Sequence, residues 1–473
     1  MQTRRQDPSA VLGTLPIRKL VPRVSVPIMI SMLVQAMYNV VDSIFVSRYD
    51  PDALTAVSLA YPIQMLMIAL SVGMGVGINS LISRKLGAGQ SEEARKAAWN
   101  GLLIELCGSL LFVVIGTVFA GAFLDRLTSS TLNNADKIRG LGTTYLSIVT
   151  TFSLGMFMAI LFERMLQSTG NTVLSMVTQI SGAVTNIILD PIMIYGLLGF
   201  PELGVAGAAV ATVTGQWVSM AVGFWMNQKK NPELRLRRKD FRPDRAILRA
   251  ILAVGLPSSV MQAISSVMTI GMNTILSSFP AQGNDAVNVL NIYFKLQSFI
   301  FMPVFGLGSG MVAIIGYNFG AGLKSRVYES IRFALKLALA ILAVGTLIFL
   351  LFPGPLMSVF EGKEAAASSS LQAIGVTAMR TICIHFMIAA VGITLSNVFQ
   401  AVGRGMYSLV VSLCRQLLVL LPAAWLLSRI SLNAVWWAFL IAECVSMTLC
   451  LIFYRRCDRT MIAVLPDDRK EIQ

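Results

Sequence analysis

Gly73-Met74-Gly75-Val76-Gly77, followed ten residues later by Gly87-Ala88-Gly89, returns 233 residues on as Gly306-Leu307-Gly308-Ser309-Gly310 with Gly320-Ala321-Gly322. The same offset carries Gln64 to Gln297, Gln167 to Gln400 and Gly170 to Gly403, and Pro27 matches Pro257 at an offset of 230. One offset held over about a hundred residues marks an internal duplication. Both glycine runs lie inside long apolar stretches, with no strand pattern before them and no Gly-Lys-Ser/Thr anywhere in the chain, so they are not phosphate loops. Glycines two and four apart leave a helix that a neighbour can approach closely or that can bend. Because both halves keep the run, Gly73, Gly75, Gly77, Gly306, Gly308 and Gly310 are read as paired hinge glycines.

The surroundings of these runs set the fold class. Of 473 residues, 55% are hydrophobic and 13% charged, against about 25% charged in soluble domains. Mean hydropathy is +0.71. A membrane span needs about 20 apolar residues, and that ruler finds about twelve runs, from residues 20–47 to 433–454. The expectation is an all-α integral membrane protein with two six-helix lobes around a central cleft. The N-lobe takes 1–227, a basic linker 228–245, and the C-lobe 246–473 with a short tail. An even number of spans per half starts both halves from one side, with a pseudo-twofold axis along the membrane normal.

The net charge of +14 would suggest nucleic acid in a soluble protein. Here 29 of the 38 basic residues fall in the termini and alternate loops and six on the opposite side, so the positive-inside bias places both termini in the cytoplasm. No nucleic-acid partner is expected. No cleavable signal segment is apparent, so the first apolar run stays as a span. Six cysteines without a CxxC pattern and a single histidine give no common zinc set. Neither a cofactor nor a tightly bound metal is expected.

Acids inside spans are costly and mark function by default. Ser31, Gln35, Asn39 and Asp42 share one face of the first span; Gln179, Asn186 and Asp190 share one face of the fifth. Both Asn/Asp pairs fall in the outer halves of outward-running helices, so they can meet in one pocket. Two carboxylates in low dielectric favour a shared proton, or with amide oxygens a hard cation such as sodium at Asp42, Asn186 and Asp190. Pro191 frees a backbone oxygen beside them. The repeat partners of these acids are apolar, near Met272 and Ala423. In the C-lobe, Arg415 and Glu443 fall near mid-span in adjacent helices and are expected to form a structural ion pair. Lys295 and His385 lie in the outer parts of their spans; the bland readings are a snorkelling lysine and a packed histidine.

The stretches Tyr38-Asn39-Val40-Val41-Asp42, Leu86-Gly87-Ala88-Gly89, Gln167-Ser168-Thr169-Gly170-Asn171, Asn186-Ile187-Ile188-Leu189-Asp190-Pro191, Gly204-Val205-Ala206-Gly207-Ala208-Ala209 and Ala434-Val435-Trp436-Trp437-Ala438-Phe439 together resemble the multidrug and toxic compound extrusion (MATE) transporters over essentially the whole chain. The resemblance is closest to the DinF-like branch. It implies drug/cation antiport through a cleft between two lobes, faced by spans one, two, seven and eight. It also implies coupling carboxylates matching Asp42 and Asp190, with Asn186 and Thr212 beside them; Asn39 joins this set as the amide one turn from Asp42. The C-lobe acids of the NorM-like branch are missing from spans seven, eight and ten. Gln35, Tyr38, Gln64, Met65, Gln297, Lys295 and His385 are the candidates for lining the cleft.

The expected function is therefore export of amphipathic, often cationic, organic compounds in exchange for protons or sodium. The chain would work as a monomer in a bacterial inner membrane. A lipid-linked sugar flippase of related architecture is the alternative, but it would want a strongly cationic cavity, and only Lys295, Arg380 and Arg415 are basic within spans. An intramembrane enzyme is disfavoured: no Gly-x-Ser-Gly and no aspartate-rich cytoplasmic motif occurs.

Overall fold

In bilayer hydrocarbon every backbone polar group needs an internal partner, and long apolar runs meet that need as helices. The computed structural model describes residues 8–128, 134–237, 240–280, 282–358 and 369–466. Among these residues there is no strand. Eleven helices are long and apolar enough to cross a membrane, and a bent pair makes a twelfth. In chain order they are α1 (Ile17–Tyr49), α2 (Pro51–Gly87), α3 (Ser91–Arg126), α4 (Ala135–Thr151 with Leu154–Ser168, bent by 46°), α5 (Thr172–Tyr195) and α6 (Val205–Lys230). The second half holds α7 (Arg245–Ser277), α8 (Gly283–Gly320), α9 (Lys324–Leu351), α10 (Ser370–Ala401), α11 (Gly405–Ser428) and α12 (Leu432–Ile462). The chain is a multi-pass membrane protein, and exposed leucines and valines such as Leu110, Val118, Leu347 and Leu418 give its outer faces an apolar skin. The extreme termini lie outside the described residues.

The repeated Gly-Ala-Gly and Gln-x-x-Gly motifs end helices. Gly89, Gly322, Gly170 and Gly403 have φ of 72°, 74°, 79° and 85°. In each case the following N–H reaches back to the carbonyl five residues earlier, as in Gln90 N to Lys85 O (2.9 Å) and Leu323 N to Asn318 O (2.9 Å). This closes the last turn and satisfies carbonyls that would otherwise be orphaned.

The glycine runs bring the lobes together. A Cβ on Gly73 would lie 2.3 Å from Ser259 N of α7, and one on Gly77 2.4 Å from Ile251 O. Reciprocally, Gly306 and Gly310 of α8 abut Met29 and Ser25 of α1. The middle glycine of each run turns about 200° away and faces its own lobe: Gly75 meets Arg164, Gly308 meets Asn397. Gly87 abuts the Tyr317 carbonyl, and its repeat equivalent Gly320 abuts the carbonyl of Arg84, the repeat equivalent of Tyr317. Both α2 and α8 continue unbroken through the runs, so here these glycines serve close approach. All these contacts lie in the half of the molecule nearer the termini. Toward the other end the facing surfaces are open, with Met37 60% and Leu66 48% exposed.

Packing departs from the division at 1–227 and 246–473 in one respect. Leu12, Ile17, Leu20, Val21 and Val24 belong to the C-lobe core, whereas Ile247 and Ile251 belong to the core of the N-lobe. The feet of α1 and α7 are thus exchanged. Asn318 Nδ2 and Arg326 Nη2 fasten the first foot by donating to the carbonyls of Leu12 and Leu15 at 3.0 and 2.8 Å. The described residues of the 228–245 linker are fastened to the 1–227 half as a strap: Ser9 Oγ donates to Glu233 (2.7 Å), Arg95 pairs with Asp240 (3.2 Å) and Trp99 Nε1 donates to Arg237 O (3.0 Å).

Candidate functional site

Helix α5 packs along both α1 and α6, and the three enclose a polar pocket in the half of the N-lobe away from the termini. Asn186 holds its centre. Its Nδ2 donates to Asp190 Oδ1 one turn away (3.2 Å) and to Thr212 Oγ1 of α6 (3.3 Å). The carboxyls of Asp42 and Asp190 interact directly with each other. Among the described residues, Asp42 Oδ1, Asp190 Oδ2 and Asn186 Oδ1 are all buried without a hydrogen-bond donor. Buried polar groups are normally satisfied, and three acceptor oxygens gathered without a donor call for a proton between them or a hard cation among them. Pro191, inside α5, adds the Ile187 carbonyl, which lacks its helical N–H partner.

Two tyrosines border the pocket, Tyr38 of α1 and Tyr145 of α4, each within electrostatic reach of both carboxyls. Gln64 Nε2 donates to Tyr145 Oη (3.4 Å), and Gln35 Oε1 accepts from Gln179 Nε2 (2.9 Å). Gln35, Tyr38 and Gln64 therefore gather inside the N-lobe near the acids, with Met65 half-buried beside Gln64. Tyr145 was not anticipated; the polar run Thr143-Thr144-Tyr145 inside an apolar span was its signal. Asn39 is exposed, and its amide makes no hydrogen bond to either acid among the described residues.

Two expected cleft residues lie elsewhere. His385 is 4% exposed, its Nδ1 is 2.5 Å from Ile382 O, and its ring packs among Phe301, Phe386 and Phe439. It is a core residue of the C-lobe. Gln297, two residues from Lys295, falls on the opposite side of α8, level with the core residues Tyr293, Phe301 and Val304. Lys295 is exposed. Arg415 Nη1 bonds Glu443 Oε1 at 3.1 Å, with Arg415 sitting in a π-helical turn, Cys414–Leu420. The N-lobe also buries the charged side chains of Arg164 and Glu105. Arg164 donates to Gln167 (2.8 Å), and Glu105 accepts from Ser71 (2.9 Å).

A family model described as MatE matches residues 27–192 and 257–426, one segment in each half of the duplication. A relative from Thermotoga maritima, described as a probable multidrug resistance protein NorM, is 30% identical over 356 residues, 73% of this chain and 72% of that protein. The multidrug export protein MepA of Staphylococcus haemolyticus is 26% identical over 89% of each chain. A solved structure described as the outward-facing conformation of a multidrug resistance MATE family transporter of the MOP superfamily superposes with a TM-score of 0.85 at 27% identity, over 96% of this chain and 98% of that one. With both halves of its duplication matched and its fold shared along nearly the full length, this chain belongs to the MatE family of multidrug and toxic compound extrusion transporters.

Proposed function

We propose that this protein is a secondary antiporter that exports amphipathic organic compounds across the plasma membrane in exchange for protons or sodium, with Asp42, Asp190 and Asn186 as the ion site and Thr212 as its support. The observation that carries this reading is the set of three buried, donor-less oxygens on those residues. Placement of both acids in the N-lobe agrees with the DinF-like branch. With the termini in the cytoplasm, the lobes are sealed on the inside and open to the outside, so an external ion reaches the pocket. Ion binding removes the repulsion between the carboxyls and lets α1 and α5 repack, narrowing the N-lobe cavity and favouring release of the compound. The membrane potential supplies roughly 2.3 kcal/mol per charge per 100 mV. The whole pathway lies between two lobes of one chain, which makes a monomer sufficient. Multidrug export by the named relatives supports the substrate class.

The test is dye efflux from proteoliposomes under separately imposed proton and sodium gradients. Asp42→Asn keeps shape and hydrogen bonding but deletes the charge; it should reach the membrane and bind dye yet lose gradient-driven efflux. Asp190→Asn should behave similarly. Wild-type efflux by both variants would sink this ion site.

A further inference from the structure

The two walls of the cleft differ in chemistry. On α8, Asn284, Asn288, Asn291 and Lys295 recur at spacings of four, three and four, which sets them in one row. That row continues through Met302 to Gly306 and Gly310, the glycines that touch α1 where the lobes are closed. The same face must therefore look into the cleft where the lobes part, and all four side chains are exposed there. On α7 the row from Ser259, which meets Gly73, climbs to Asn273 and Ser277 in the same way. Between these helices lies an open groove of about 590 Å³, lined by Asn273, Thr274, Ser277, Asn284 and Asn288 with Ile270 and Val287, and Asn291 and Lys295 follow along α8 beyond it. Asn273 Oδ1 is buried there without a partner.

Charge on this wall has one sign. Helix α7 contains no acid, and the acid of α8, Asp285, accepts a hydrogen bond from Ser370. Among the described residues no carboxylate lies within ion-pair distance of the Lys295 ammonium. The opposing wall is largely apolar: Met37, Val40, Ile44 and Leu66 are 60%, 42%, 42% and 48% exposed, with Asn39 and Ser43 as exposed neutral polar groups among them. The two buried acids of the N-lobe, Asp42 and Asp190, interact with each other inside that lobe, and neither forms an ion pair with Lys295.

We infer that the C-lobe wall is an anion-recognising subsite, with Lys295 as its charged contact and the asparagine ladder as its hydrogen-bonding surface, so that the cleft takes amphipathic compounds whose polar end is anionic and whose apolar body lies on the N-lobe wall. This rests on the export reading above and names its substrate class, in place of the cationic compounds expected from the resemblance. The ammonium gains a charge-assisted hydrogen bond from a carboxylate, phosphate or sulfonate, whereas a lone organic cation meets repulsion. Asparagine amides can turn their NH₂ groups toward an anion because, among the described residues, no hydrogen bond fixes those of Asn284, Asn288 and Asn291.

Fluorescein and rhodamine 123 share a xanthene body and differ in charge, which makes them a matched pair of probes. With purified full-length protein in phosphatidylcholine nanodiscs, fluorescence polarisation should show fluorescein binding about tenfold more tightly than rhodamine 123. Lys295→Gln should erase that preference, Lys295→Arg should keep it, and Asn288→Leu should weaken fluorescein alone. Equal affinities in the wild type, or an undiminished preference in Lys295→Gln, would overturn the inference. An anionic lipid headgroup offers the same chemistry, so the titration is repeated with phosphatidylglycerol in the discs. Loss of Lys295-dependent dye binding there would assign the site to lipid and also overturn it. Gradient-driven efflux separates this result from the export reading. Coupled efflux without a Lys295-dependent preference sinks the anion subsite alone, and Lys295-dependent binding without coupled movement of either dye sinks the export reading alone.

Discussion

Arg415 and Glu443 illustrate what a single pair contributes in this fold. Glu443 is buried to 7% side-chain exposure while Arg415 keeps 29%, so the pair is anchored on the acid side. Removing the arginine strands a buried carboxylate, which costs 3–5 kcal/mol in fully buried pairs; with the arginine partly exposed, about 2 kcal/mol is the reasonable scale. Arg415→Ala should therefore lower the melting temperature and the yield of monodisperse protein while leaving ion dependence of efflux unchanged, and Arg415→Met with Glu443→Leu should recover most of the loss. A normal melting temperature with an altered ion requirement would instead make Arg415 a coupling residue. The acids of α1 and α5 could be read from spacing because helical periodicity fixes a face. His385 could not: the outer part of an apolar span looks the same in sequence whether its polar residue faces a cleft or a ring of phenylalanines. Gln297 was avoidable, since two residues along a helix reverse the side.

At the scale of elements, the glycines divide by what a side chain would strike. A methyl on Gly87 would sit 1.9 Å from the Tyr317 carbonyl, and one on Gly320 2.1 Å from that of Arg84, both backbone atoms. A methyl on Gly75 meets only side-chain atoms of its own lobe, Arg164 Cγ at 3.0 Å and Ile160 Cγ2 at 3.1 Å. Gly87→Ala and Gly320→Ala should therefore push the lobes apart at the sealed end, whereas Gly75→Ala should be tolerated. Spin labels at positions 90 and 324, one on each lobe near that end, provide the measurement. A longer, broader distance in the first two variants and an unchanged one in the third is expected. An equal effect from Gly75→Ala would favour the hinge reading. The repeat at a 233-residue offset pointed to paired helices in the sequence, and even to the reciprocal crossing, because a duplicated contact needs a duplicated small residue. Which glycine touched which helix required the three-dimensional pairing.

For the whole molecule, the closed end and the open end acquire meaning only once the bilayer's two sides are assigned. From the positive-inside bias of the sequence we propose that the 228–245 strap lies on the cytoplasmic side. In a background without native cysteines, Arg235→Cys should react with a membrane-impermeant maleimide only after the cell envelope is opened. Labelling of intact cells would reverse the sidedness of the entire transport scheme.

Exchange of the two helix feet was invisible in the sequence, since an apolar foot has the same hydropathy whichever core receives it. Its consequence concerns time. The first span emerges from the ribosome with Leu20 and Val24 committed to the C-lobe core, level with Ile315 and Met311 of α8. These follow about 290 residues later, roughly 15 to 60 s at ordinary synthesis rates. The amino-terminal half must wait that long in the membrane as an unfinished object, and its final fold is reached by threading its first helix into a body that does not yet exist when that helix is inserted.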